Sequence, residues 1–154
     1  MKAIQIAEYI IHKYQKEKNS DEKLELTHLK LQKILYYAQG WYLANNNKPL
    51  FNERVEAWPY GPVIPKVYDE LKIFEAEDLK SYKIDNDEIG DMPKDIKLFL
   101  DKIWVSYKGY SAKQLVAQTH THKPWLEKYN STNNEITKED IRKFFRKFLN
   151  KHGS

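Results

Sequence analysis

Eight aromatic residues fall between positions 36 and 68: Tyr36, Tyr37, Trp41, Tyr42, Phe51, Trp58, Tyr60 and Tyr68. Three prolines, Pro59, Pro62 and Pro65, cut the same stretch. This combination constrains the fold more than any other feature of the chain. Tyr and Trp carry a large apolar body with one polar tip, so most of these rings must be buried. One long helix cannot bury them all, because each proline biases the residue before it away from helical geometry. The spacing of Leu31, Ile34, Leu35, Ala38, Trp41 and Tyr42 predicts a helix running to about Ala44, capped by the Thr27 hydroxyl. A weak alternation over residues 53–58 predicts a short strand. Pro62 or Pro65 is then placed to open a further helix with Val63, Val67, Tyr68 and Leu71 on its apolar side. Gly61, between Tyr60 and Pro62, suits a turn conformation that a side chain would forbid. Aromatics wrap more than halfway around the first helix, so Tyr37 and Tyr42, with Tyr60, are candidates for a groove or a partner surface.

The rest of the chain is also mostly helical in pattern. Ala3, Ala7, Ile10, Ile11 and Tyr14 predict a helix over 3–17. Pro93 opens another, with Ile96, Phe99, Leu100, Ile103, Trp104 and Tyr107 as its stripe and Gly109 at its end. Ser111 caps a short helix to about His120, and Thr137 caps a last one carrying Ile141, Phe144, Phe145, Phe148 and Leu149. Residues 74–92 read as an acidic connection. The expectation is a mainly α single domain over 1–154, with about six helices and at most a small β element. A chain of 154 residues suits one core.

Charge is segregated. Residues 137–154 hold six basic and two acidic residues, the whole of the net +4. Residues 74–92 hold seven acids against two lysines. A uniformly basic surface, which would point to nucleic acid, is absent. There is no cysteine, which excludes disulfides, thiolate metal sites and cysteine nucleophiles and fits a reducing compartment. No window approaches the roughly 20 apolar residues of a membrane helix, and no secretory signal stands at Met1. A cytoplasmic protein without membrane partners is expected.

Candidate chemistry is sparse. His120 and His122 stand two apart, a spacing that shares a metal on a strand but diverges on a helix. The simpler expectation is a half-buried His120 bonded to backbone at the end of its helix. His12, His28 and His152 read as surface residues. Ser111 has no nucleophile elbow around it, and no glycine-rich loop exists to cradle phosphate. No enzyme, metal or cofactor is expected. The last helix interleaves Arg142, Lys143, Arg146 and Lys147 with its phenylalanines, which gives a docked helix with a basic rim. That rim suits an acidic partner or a nucleic-acid backbone.

Several segments together resemble a known family. They are Leu31-Gln-Lys-Ile-Leu-Tyr-Tyr-Ala-Gln-Gly-Trp-Tyr-Leu-Ala44, Pro49-Leu-Phe51, Val55-Glu-Ala-Trp-Pro-Tyr-Gly-Pro-Val63 and Pro65-x-Val-Tyr68. Ser111, Leu115, Thr119-His120 and Pro124-Trp125 extend the match. The pattern resembles the Panacea antitoxin domain, also called SocA-like or GepA-like and found in phage-associated proteins, over roughly residues 3–148. The resemblance implies a compact helical fold and an antitoxin of a type II pair that neutralises a protein toxin by direct contact. In one branch it implies an adaptor that delivers the toxin to a ClpXP-type protease. A third expectation, from the basic rim, is a mobile-element protein that binds host factors or nucleic acid. The motif residues Gln32, Tyr36, Trp41, Trp58, Tyr60, Gly61, Pro62, Tyr68, Ser111, His120, Pro124 and Trp125 are read first as fold-making.

Overall fold

A computed structural model describes residues 1–152, with side chains as far as Leu149. The described chain forms eight α-helices and one small antiparallel sheet. They run α1 (Ala3–Lys18), α2 (His28–Asn46), β1 (Val55–Trp58), β2 (Gly61–Val63), α3 (Pro65–Leu71), α4 (Asn86–Gly90), α5 (Lys94–Tyr107), α6 (Ala112–Thr119), α7 (Lys123–Lys128), β3 (Glu135–Ile136) and α8 (Lys138–His152). Strand order is β2-β1-β3. The mainly α expectation holds, and the predicted strand lies at β1.

Helix α2 is the axis of the domain, with every residue from Lys30 to Gly40 buried. A helix buried on all sides normally carries apolar residues all round. Here four of the buried positions are polar or charged, and each holds a loop. Gln39 donates from Nε2 to the Phe51 carbonyl at 2.8 Å and accepts from Leu50 N at 2.9 Å. Gln32 accepts from Ile64 N at 2.8 Å and donates to the Ile64 carbonyl at 3.3 Å. Lys33 Nζ reaches the Pro62 carbonyl at 2.7 Å, and Lys30 Nζ reaches those of Glu25 and Lys108. A buried polar group needs such partners, because an unpaired one costs about 1–3 kcal/mol.

Helix α8 packs along α2 through Phe145. A Cβ on Gly40 would stand 2.2 Å from the Phe145 ring, so only glycine lets the two helices approach this closely.

Two helices exceed the expected six. Helix α4 lies inside the predicted acidic connection, where Asp85 caps it by accepting from Asp87 N and Glu88 N. Five residues are too few to show a periodicity. Helix α7 holds Pro124 in its first turn. The acidic segment is anchored rather than free: Leu79, Ile89 and Met92 are buried. Asp78 accepts from the Tyr14 hydroxyl and from Leu26 N, and Tyr82 donates to Glu8 at 2.9 Å. Pro65, not Pro62, opens α3; Pro62 lies in β2, an edge strand, where its missing N–H costs no ladder bond.

Candidate functional site

Trp58 pairs with Gly61 across the hairpin, so Pro59 and Tyr60 form a two-residue turn. Neither has a positive φ, which excludes the mirror-image turns and type II. Proline at the second position and glycine at the fourth then mark a type I turn. Gly61 has φ +105°, and a Cβ there would meet Lys33 Cε and Thr119 Oγ1, each at 2.8 Å. Glycine is required twice over, by backbone conformation and by space.

The corner is pinned from behind by a segment about sixty residues further on. His120 Nε2 donates to the Pro59 carbonyl at 2.9 Å, and Trp125 Nε1 donates to the Trp58 carbonyl at 2.8 Å. The two rings stack with centroids 4.2 Å apart. Ser111 sets the start of α6 through a full capping box with Gln114. Thus His120 is half-buried and bonded to backbone, as the sequence suggested. His122 turns elsewhere, with Nδ1 2.9 Å from the Tyr36 hydroxyl. The two histidines do not converge.

In front of the corner lies a groove of about 610 Å³. Thr27, His28, Leu29 and Gln32 from the start of α2, the Trp58–Tyr60 corner, Tyr68 from α3 and the Glu75-Ala76 pair line it, among others. Trp58 and Tyr68 meet edge to face at 4.9 Å, and Tyr68 meets His28 likewise at 5.8 Å. Trp58 Nε1 is held by Glu56 at 2.9 Å. Tyr60 projects at the rim, 67% exposed. Four of the quoted motif residues, Gln32, Trp58, Tyr60 and Tyr68, therefore meet at one groove.

A known protein family covers most of this region. The sequence model described as "Antitoxin SocA-like, Panacea domain" matches residues 31–126, which contain α2 from Leu31 onward, the corner, and the His120 and Trp125 that pin it. The chain belongs to the SocA-like Panacea antitoxin family. Antitoxin SocA of Caulobacter vibrioides (strain NA1000 / CB15N) is 32% identical over 111 residues, 66% of this chain and 59% of that protein. The chain thus spans less than two thirds of that relative's length. No solved structure matches.

The interior of this Panacea domain takes the other aromatics. Tyr37 and Tyr42 are only 5% and 8% exposed, so they are core residues and not the partner surface expected of them. Tyr37 stacks on Tyr107 at 4.2 Å and donates to Gln118, while Tyr42 packs on Phe99. Their rings point inward because α8, α5 and α6 cover faces of α2 that sequence spacing left open. Trp41 donates to the Tyr107 hydroxyl at 2.8 Å. Burial holds the His122 imidazole neutral, its pKa lowered to about 4. Lys33, fully buried without an acidic partner, is lowered to about 7 for the same reason.

His12 and His28 are half-buried, not surface residues, and burial lowers both their pKa values. The side chain of His152 lies outside the described residues. His28 opens α2 immediately after the Thr27 cap, which places it in the groove; no sequence signal marked Glu75.

The basic rim of α8 borders a second groove, about 430 Å³, between α7 and α8. Arg142 pairs with Glu139 at 2.7 Å, and Arg146 donates to the Ala44 carbonyl at 3.0 Å near the C-terminus of α2. There a cation suits the helix dipole. Lys143 and Lys147 point outward and are exposed. Among the described residues, no helix is long and apolar enough to cross a membrane.

Proposed function

We propose that this domain is the antitoxin of a type II pair and neutralises a cognate protein toxin by direct binding in the cytoplasm, without catalysis of its own. Membership of the SocA-like antitoxin family, through a match that spans the corner and most of its groove, carries the proposal. Tyr60, exposed on a rigid turn, fits a binding role, since exposed aromatics on preorganised backbone make efficient contacts. Co-expression with the product of the adjacent reading frame tests it. Growth arrested by that product should be restored by this chain; unrelieved arrest removes the proposal. Delivery of the toxin to a ClpXP-type protease would be a refinement of the same role. It requires the toxin's half-life to fall when this chain and the protease are both present.

The exposed Lys143 and Lys147 favour a second reading, contact with nucleic acid through α8, as for a mobile-element protein. Two exposed lysines, one of them already 3.9 Å from Glu139, imply few phosphate contacts and a shallow salt dependence. Retention on DNA at low salt, lost on reversing both charges, is the corresponding measurement.

A further inference from the structure

One exposed residue at the groove, Tyr60, has no role in holding the fold. Tyr60 is 67% exposed, and its side chain makes no hydrogen bond or ring contact among the described residues. A polar residue would serve the turn equally well, since the type I geometry needs only Pro59 and Gly61. The carbonyls of Trp58 and Pro59, where the turn begins, are pinned by Trp125 and His120, so the rim is set before anything binds. The groove is large enough for side chains of a partner, about 610 Å³, and its walls at Leu29, Trp58 and Tyr68 are apolar or aromatic.

Its edge is acidic. Glu75 lines it, Glu77 stands one residue beyond the lining Ala76, and Glu25 stands two before Thr27. All three are exposed, and none has an ion-pair partner among the described residues. Glu75 also holds φ 50° with ψ −121°, a sparsely populated conformation that persists only where its surroundings impose it. An apolar floor with an acidic edge complements an apolar side chain flanked by lysine or arginine. Such a cation can meet Glu75 and lie over the Tyr60 ring.

We propose, resting on the antitoxin function above, that this groove is the toxin-docking site. Its occupant is a short segment of the toxin that inserts an apolar side chain against Trp58 and Tyr68. The same segment sets a basic residue against Glu75 and Tyr60.

The test uses the full chain and the toxin encoded by the adjacent reading frame. Binding is measured by calorimetry and neutralisation by co-expression, for wild type, Tyr60→Ala, the pair Glu75→Lys with Glu77→Lys, and Val105→Ser. Val105 is an equally exposed apolar residue on α5, 65% exposed and outside the groove. All variants change exposed side chains, and thermal melting checks that each is folded. Tyr60→Ala and the charge reversal should each weaken binding at least tenfold, and the reversal should also reduce the dependence on salt. Val105→Ser should stay within twofold of wild type.

Wild-type binding that is unmoved by either groove change overturns the docking site and leaves the antitoxin function standing. A weakening by Tyr60→Ala alone overturns the basic flank and so the proposal. Absence of wild-type binding overturns both readings together. Sedimentation of the chain alone closes the remaining case: a dimer lost on Tyr60→Ala would mean that a second copy covers the groove, against the proposal.

Discussion

At the scale of single residues, Gly61 in the corner meets conditions that no other residue type would satisfy. Gly61 sits at φ +105° with Lys33 and Thr119 atoms 2.8 Å from where a Cβ would stand. Gly61→Ala should cost about 2–4 kcal/mol, from backbone strain plus displacement of both neighbours, as read from urea unfolding. Lys33 is the reverse case, a residue whose chemistry opposes its place. Its pKa falls from 10.5 to about 7 because burial penalises the cation. The unfolded chain then binds more protons between those values, so stability rises with pH across that window, by at most about 1.4 kcal/mol per unit. Lys33→Met should flatten this slope between pH 7 and 10 and raise the urea midpoint at pH 7. An unchanged slope would show that Lys33 stays charged in the fold. The glycine was legible in the sequence because Pro-x-Gly is local turn chemistry. The burial of the lysine was not, because it depends on a carbonyl 29 residues away.

At the scale of elements, caps and apolar stripes did most of the work. Thr27 accepts from Lys30 N, Ser111 from Gln114 N and Thr137 from Asp140 N, each where sequence placed a helix start. The short pieces escaped, since α4 and α7 have five and six residues and cannot display a 3.6-residue period. Helix α8 tests the strength of packing over propensity. Phe145 is 1% exposed and seated over Gly40, against Tyr36 and Trp41. Phe145→Ala should lower stability by about 3–5 kcal/mol, measured by chemical unfolding, because α2 and α8 are too rigid to close the cavity.

At the scale of the whole molecule, buried titratable groups give an unusual pH profile. His122 is held neutral with its pKa near 4 instead of 6.5, so stability is lost as pH falls from about 6.5 toward 4. Lys33 extends the rise with pH above 7. Burial raises Tyr14, Tyr36 and Tyr37 above the usual 10, so the stability they lend is present below pH 10 and lost above it as the unfolded chain ionises first. Urea midpoints should therefore climb from pH 4 to a maximum between about 8 and 10, then decline. A maximum near pH 6 would contradict this. The sequence by itself determined the helical class, most helix starts, the hairpin corner and the family, because capping, turn chemistry and apolar period act over a few neighbouring residues. Only the tertiary structure decided that Tyr37 and Tyr42 are core while Tyr60 is surface, that Lys30, Gln32, Lys33 and Gln39 hold loops, and that the corner opens on a groove. Those outcomes depend on which segments cover α2, and the covering groups come from far along the chain, as His122 reaches Tyr36 across 86 residues.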